Sequence, residues 1–421
     1  MIKVLKKKLI VGLEIGTTKT TISVGEILED DTINIIGIGL SKSIGIDRGI
    51  INDLKSIVEC IKKVINQAET MANCNITSIY LALSNKYINC QNEIGIIPIL
   101  QEEITKNDIE NVIHTAKSVR IRNEHKILHI IPQEYSIDER TGIKNPIGLS
   151  GIRMQAIVHL ITCHSSIKKN IIKAVESCGI RVDYSVFSGL ASSESVLTTD
   201  ERNLGVCIVD IGGGTTDIAI YTNGTLKHSC VIPYAGNTVT NDISYVFNIP
   251  FMYAEKIKIK YGYAMQSSDI TEEEIKIVNE DNTIIQTFHK DKLTEVIESR
   301  YIELLTLINE EIKNTQKKLK KSGRIHKLGA GIVLTGGASN IKLFKNCAEK
   351  VFNIPVRIGC PKKNNINTAK LTNNTQTGSL STVIGLLYFG KKYFYSHRNK
   401  NSYNFFKKWL QYINNWIKKE F

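Results

Sequence analysis

Residues 208–221 read Ile208-Val209-Asp210-Ile211-Gly212-Gly213-Gly214-Thr215-Thr216-Asp217-Ile218-Ala219-Ile220-Tyr221. An apolar, β-branched run leads into three glycines, and an alternating run leads out: a β-hairpin with a glycine tip. Glycine lets backbone approach a ligand and adopt φ > 0. The bare amides of such a tip form an anion-binding nest. Asp210 stands at the mouth, where a carboxylate holds Mg²⁺ through water, and Thr215 and Thr216 add hydroxyl donors. An ordinary hairpin turn also needs glycine, so this stretch alone leaves both readings open.

A second hairpin of the same kind lies near the start: Leu9-Ile10-Val11-Gly12-Leu13-Glu14-Ile15-Gly16-Thr17-Thr18-Lys19-Thr20-Thr21-Ile22-Ser23-Val24. The acid-x-Gly-x-Thr pattern recurs, one copy per half, as in a duplicated fold facing one nucleotide. A third glycine site is Gly331-Ile332-Val333-Leu334-Thr335-Gly336-Gly337-Ala338-Ser339-Asn340. A buried strand runs into Gly-Gly, where a flat base or a phosphate can lie against backbone at a helix start.

In this order the three sites resemble the phosphate-1, phosphate-2 and adenosine motifs of the actin, Hsp70 and sugar-kinase ATPase superfamily. Ile131-Pro132-Gln133-Glu134-Tyr135, Gly148-Leu149-Ser150-Gly151-Ile152-Arg153-Met154-Gln155-Ala156 and Val333-Leu334-Thr335-Gly336-Gly337-Ala338 bring the resemblance closer, to the bacterial cell-division FtsA family, over nearly the whole chain. That resemblance implies an α/β actin-like ATPase fold: two ribonuclease-H-like halves around a nucleotide cleft, an inserted α+β (1C) module and a C-terminal amphipathic helix. It implies ATP with Mg²⁺, the phosphates meeting Gly16, Thr17, Thr18 and Lys19 on one side and Gly212, Gly213, Gly214 and Thr215 on the other. Asp210 would position the metal through water and act with Glu14, and the base would lie near Gly336, Gly337 and Ala338. Glu255 and Lys258, three apart on one helix face, would touch ribose and base; a solvated ion pair fits that spacing equally well. Where actin and Hsp70 carry Asp, this chain has Glu14, so hydrolysis is expected to be slow and nucleotide to act mainly through assembly.

The implied organisation is half one (1A) over 1–83 and 163–195, the 1C module over 84–162, half two (2A) over 196–230 and 306–390, subdomain 2B over 231–305, a linker over 391–403 and a membrane-targeting helix over 404–421. In the family, 1C mediates self-association into filaments or minirings and contacts with later division proteins. The region of Arg300 and Glu303 receives the C-terminal tail of FtsZ, although exposed charges ordinarily need only solvation.

Periodicity fills in the elements. Strands are expected up to Glu14 and over Thr20–Ile27 and Ile33–Leu40, then a helix capped at Asn52 or Asp53 with Leu54, Ile57, Val58, Ile61, Val64, Ile65 and Ala68 facing the core. In the module the runs 87–90, 95–100, 126–131 and 154–160 read as strands, 108–120 as a helix and 142–151 as a loop. Gly189-Leu190-Ala191-Ser192-Ser193 opens a helix between the halves, suited to a close crossing with or without a hinge. Further on, 231–235 reads as a strand, 236–246 as a helix, 271–286 as a polar, acidic, mobile edge, 293–312 as a long helix and 359–378 as a polar loop.

At 421 residues the chain has room for two or more domains. No run of eighteen apolar residues occurs, so nothing reads as a span. Lys6-Lys7-Lys8 precedes an apolar run that Glu14 cuts short, which reads as a first core strand rather than a secretory signal. Nine cysteines stand singly with no CxxC or zinc-ligand spacing, as expected of reduced cytosolic thiols. Cys163-His164 is no nucleophile–base pair, since sequence neighbours do not face each other on a strand or helix. The net charge of +13 accompanies an abundance of Lys, Ile and Asn. No aromatic–basic interleaving points to nucleic acid.

The tail is the exception. Phe405-Phe406-Lys407-Lys408-Trp409-Leu410-Gln411-Tyr412-Ile413-Asn414-Asn415-Trp416-Ile417-Lys418-Lys419 places Phe406, Trp409, Leu410, Ile413, Trp416 and Ile417 on one helical face, with lysines and amides opposite. This is the pattern of a helix lying in a membrane interface. Partial burial of these side chains contributes on the order of several kcal/mol, and each lysine adds about 1 kcal/mol at an anionic lipid surface. A terminal helix docked on the body, or one seated in a partner's groove, would share the pattern.

The expected function is a membrane-tethered, actin-like ATP-binding division protein, peripheral on the cytoplasmic face of the inner membrane at the septum, that anchors FtsZ filaments. A sugar or acetate kinase of the same superfamily is the rival; it needs a substrate pocket with a catalytic Asp and no membrane helix. An Hsp70-like chaperone would need a further peptide-binding β-domain, for which the sequence is expected to leave no room.

Overall fold

The computed structural model describes residues 8–119, 121–267, 274–278, 284–321, 327–362, 366–367 and 377–398. Two sheets share one plan. In the first, Leu9–Ile15, Lys19–Ile27 and Ile33–Lys42 form an antiparallel meander, and Ser78–Leu83 and Arg181–Phe187 add in parallel beside the first strand. In the second, Val206–Ile211, Thr216–Thr222 and Thr225–Ile232 form the meander, with Ile332–Thr335 and Val356–Ile358 added in parallel. This is the duplicated, actin-like ATPase fold that the paired hairpins implied. It places both glycine tips at the cleft between the halves.

Local chemistry sets the helices. Leu54–Ala72 starts at Asp53, whose carboxylate accepts from the Lys55 and Ser56 amides, and stops at Asn73 in the left-handed region. It buries Ile57, Cys60, Ile61, Val64, Ile65 and Ala68 against the first sheet. Helices Ser188–Val196 and Ser381–Arg398 cross between the halves. A Cβ on Gly385 would stand 1.7 Å from the Ala191 carbonyl oxygen, so only glycine allows this approach.

The inserted module is a four-stranded antiparallel sheet, in the order Asn89–Pro98, Arg153–His164, His125–Ile137, Arg140–Ile143. Helix Lys106–Lys117, opened by a Thr105/Asp108 capping box, covers it. Three expectations are corrected here. The two short runs before the helix are one strand, Asn89–Pro98. The strand expected to stop at Ile131 continues to Ile137, and Arg140–Ile143, which runs into the start of the expected loop, is its hairpin partner. Pro132 sits where the ladder skips: Glu134 pairs with Ile157 and Pro132 with Val158, leaving Gln133 bulged. The bulge turns Gln133 toward the second half, where its Nε2 donates to the carbonyls of Leu226 (2.8 Å) and Lys227 (3.2 Å).

The second half brings further corrections. The third meander strand is Thr225–Ile232 rather than 231–235. Its polar residues are occupied: Lys227 is buried with Glu134 at 3.2 Å, and Ser229 bonds His159 at 2.8 Å. The long helix runs from Lys290 to Lys321, straight through residues 305 and 306, where 2B and 2A were divided. Glu274–Val278 and Ile284–His289 pair as a hairpin in the stretch read as a mobile edge, the rest of which lies outside the described residues. Ile366–Asn367, in the expected polar loop, joins the first sheet beside Ile33 and Asn34.

Residues 391–398, read as linker, continue the last helix to Arg398. Contacts without apolar period hold it there. Lys392 pairs with Glu194 at 2.5 Å, and the Tyr393 ring lies 6.1 Å from Tyr80 and 6.0 Å from Tyr184. The amphipathic tail, with Phe406, Trp409, Leu410, Ile413, Trp416 and Ile417, lies outside the described residues.

Candidate functional site

The two hairpin tips close in the same way. The Gly16 amide donates to the Lys19 carbonyl at 3.0 Å, and the Gly212 amide to the Thr215 carbonyl at 2.9 Å. They face each other across a cavity of about 400 Å³ between the halves. The glycines are not there for φ: none of Gly16, Gly212, Gly213 and Gly214 takes the left-handed region. They are there for room. A Cβ on Gly213 would stand 1.9 Å from Thr18 Oγ1, and one on Gly214 2.4 Å from Thr17 Oγ1. The expectation of φ > 0 at this tip is thus corrected: the opposite hairpin occupies the space a side chain would need. Gly336 is where φ matters, at +91°, and a Cβ there would stand 2.5 Å from Asp210 Oδ1.

Glu14, Asp210, Asp217 and Lys19 are among the charged groups that line the cavity. Burial pushes Glu14 up to about 7, with Lys19 opposing and Asp210 reinforcing the shift. Burial also raises Asp210, and raises Asp217 well above the usual carboxylate range, with the Asp210 charge adding. Lys19 is lowered by its own burial, and its Nζ donates to the Ser379 carbonyl. Thr382 Oγ1 donates to Asp210 Oδ2 at 3.0 Å, and Ser84 Oγ to Asp217 Oδ1 at 2.6 Å. Glu14 Oε2 is buried with no hydrogen-bond partner among the described residues. Three crowded acids, an orphaned carboxylate oxygen and two open amide tips fit a hydrated divalent cation carrying a polyphosphate.

The far wall holds the third glycine site. Gly337–Asn340 is a short 3₁₀ turn, and the Tyr301 hydroxyl donates to the Ala338 carbonyl at 3.2 Å. Glu255 and Lys258 pair at 2.7 Å; Lys258 is buried and donates to the Gly236 carbonyl and Thr240 Oγ1. They line the cleft rather than projecting into solvent. The structure therefore gathers Glu14, Gly16, Thr17, Thr18, Lys19, Asp210, Gly212, Gly213, Gly214, Thr215, Glu255, Lys258, Gly336, Gly337 and Ala338 around one cavity.

Arg300 and Glu303 lie elsewhere. Arg300 pairs with Asp242 on the helix Gly236–Val246 and with Glu303 at 2.5 Å. Cys163 is buried and His164 pairs with Glu124 at 2.8 Å, so these neighbours do point apart. All nine cysteines are free thiols. Sequence reading missed Asp217, Ser84 and Thr382. Asp217 had a signal: in the hairpin register it is the direct partner of Asp210, which puts both carboxylates on one face. Ser84 and Thr382 reach the site from distant elements and had none.

Comparison with known proteins gives the family. Residues 207–385 match the family model "Cell division protein FtsA", and residues 85–162 match "SHS2 domain inserted in FTSA". The chain is 58% identical over 416 residues to the cell division protein FtsA of Buchnera aphidicola subsp. Schizaphis graminum, covering 99% of each. It is 54% identical over 427 residues to that of Escherichia coli K12, covering 100% of each. Among solved structures, a PilM-PilN type IV pilus biogenesis complex aligns with TM-score 0.65 at 14% identity, over 91% of this chain and 98% of that one. MreB 5 of Spiroplasma citri bound to AMPPNP aligns with TM-score 0.56 at 15% identity, over 94% and 99%. These two likenesses concern the fold alone, whereas the full-length identities and the two matched models mean that the chain belongs to the FtsA family of cell-division proteins.

Proposed function

We propose that this protein binds ATP with Mg²⁺ in the cleft and serves as a membrane-tethered anchor for FtsZ filaments. It works at the cytoplasmic face of the inner membrane at the septum, self-associates into filaments or minirings, and recruits later division proteins through its inserted module. The observation that carries the nucleotide reading is the pair of glycine tips meeting across a cavity lined by Glu14, Asp210 and Asp217. Family membership supports the division role, and the pattern of residues 404–421 supports the tether.

The residues divide the work. The amides at Gly16–Lys19 and Gly212–Thr215 bind phosphate oxygens, and Lys19 balances their charge. Asp210, steadied by Thr382, and Asp217, steadied by Ser84, would hold a hydrated Mg²⁺. The chemistry Mg²⁺ would supply there is neutralisation of phosphate charge. Glu14, pushed up to about 7, takes up a proton near neutrality in the free chain, and turnover is weak at most. Gly336, Gly337 and Ala338 with Glu255 and Lys258 receive base and ribose.

Calorimetry of Mg·ATP binding, with Asp210→Asn alongside, tests the cleft; anisotropy of a labelled FtsZ C-terminal peptide, with Arg300→Glu, tests the partner. Asp210→Asn should weaken Mg·ATP at least tenfold, and Arg300→Glu should weaken the peptide while leaving Mg·ATP alone. A chain that binds neither would end this reading.

A further inference from the structure

On the outer edge of the second sheet, strand Thr225–Ile232 presents His228 and Cys230, two residues apart and therefore on the same face. Helix Lys290–Lys321 brings Glu311 to these two residues. One ligand atom from each of the three lies within 4.8 Å of the others, and all three residues are partly buried. His228 Nε2 and Glu311 Oε1 are 2.9 Å apart. The two elements come from distant parts of the chain, so the cluster is a product of the fold.

A His–Glu hydrogen bond alone accounts for two of the three groups. The third, Cys230, packs against the core of the second half, and none of the hydrogen bonds found among the described residues involves its thiol. We propose that His228, Cys230 and Glu311 form a binding site for one borderline-soft divalent cation, Zn²⁺ foremost, with water in the fourth position. A nitrogen, a thiolate and a carboxylate are a zinc-type ligand set. Tetrahedral zinc with bonds of about 2.0–2.3 Å separates its ligands by about 3.3–3.8 Å, so the present cluster adjusts by small side-chain rotations. The electrostatics agree. His228 holds Glu311 below the usual carboxylate range, in the form that coordinates. Burial, followed by the charge of Glu311, pushes the Cys230 thiol well up, and a cation among these groups reverses that. Bound there, the ion staples the edge strand to the long helix, away from the nucleotide cleft.

Binding releases the thiol proton to solvent and changes no oxidation state, so no further reactant is required. The test is titration of metal-free full-length chain with Co²⁺, followed by visible and near-ultraviolet absorption and then by displacement with Zn²⁺. One Co²⁺ per chain should give tetrahedral d–d bands and a thiolate charge-transfer band. Cys230→Ser should abolish the charge-transfer band, His228→Gln should weaken binding at least tenfold, and Cys360→Ser, at an exposed thiol, should change nothing. Co²⁺ at the carboxylates of the cleft produces no thiolate band, so the two sites are told apart. Absence of the band at equimolar Co²⁺, its survival in Cys230→Ser, or its loss in Cys360→Ser overturns the proposal. Should Cys230→Ser fail to fold, His228→Gln supplies the deciding readout, and unchanged Co²⁺ affinity there overturns it as well.

Discussion

Gly213→Ala addresses the interlocked tips directly. The added methyl would lie 1.9 Å from Thr18 Oγ1, 3.1 Å from Thr18 Cβ and 3.4 Å from Asn237 Oδ1. Rotating exposed Thr18 about χ1 relieves the first clash, at the cost of its 3.4 Å contact with Asn237. The second clash is rotamer-independent, because a Cβ is fixed by the backbone. It is a few tenths of an ångström too close, so the two tips must part. Overpacking of this kind costs about 1–3 kcal/mol. A polyphosphate gripped by both tips holds them together, so the cost falls on the bound state. The expected loss is about 5- to 150-fold in nucleotide affinity, at about 1.4 kcal/mol per tenfold. Thermal unfolding of the free chain should move little, since Thr18 can give way. The assay is titration of a fluorescent ATP analogue with Mg²⁺ at fixed salt, wild type beside variant. If wild type binds and Gly213→Ala binds within twofold of it, the tips do not act together on one ligand.

Gly385→Ala drives a methyl to 1.7 Å from the Ala191 carbonyl oxygen, a backbone atom that cannot rotate away; urea unfolding should show a loss of about 3 kcal/mol or more. Gln133→Ala leaves the carbonyls of Leu226 and Lys227 without that donor, for about 1–3 kcal/mol in the same assay. Glu14 gives a pH signature. Its folded value, about 7, lies above the ordinary 4.5, so the folded chain keeps a proton that the unfolded chain has lost. Stability of the nucleotide-free chain therefore falls as pH rises from about 4.5 to about 7, and Glu14→Gln should flatten that part of a thermal-unfolding pH profile.

The sequence spoke most clearly where local chemistry decides the structure. Repeated apolar–acid–glycine–threonine runs announced the two hairpins and thus the duplicated fold, and the cap expected at Asn52 or Asp53 placed the start of the helix, which runs on four residues past the Leu54–Ala68 stripe to Ala72. It misled where tertiary contacts override a local rule. Pro132 did not end its strand because a bulge at Gln133 absorbed it. The last helix ran past the end of apolar periodicity because Lys392 and Tyr393 found partners far away in the chain. Of the two uses expected of the second tip's glycines, positive φ is not taken, and the space they leave is filled by Thr17 and Thr18, which no reading of residues 208–221 alone contains.

Liposome co-sedimentation of the full chain, and of a chain ending at Asn401, each with and without FtsZ, on vesicles containing anionic lipid, decides whether the tail tethers FtsZ to a membrane. With the tail as anchor, the full chain pellets and carries FtsZ down, while the shortened chain stays in the supernatant with it. Equal pelleting of both chains, or a full chain that binds neither lipid nor FtsZ, would contradict it.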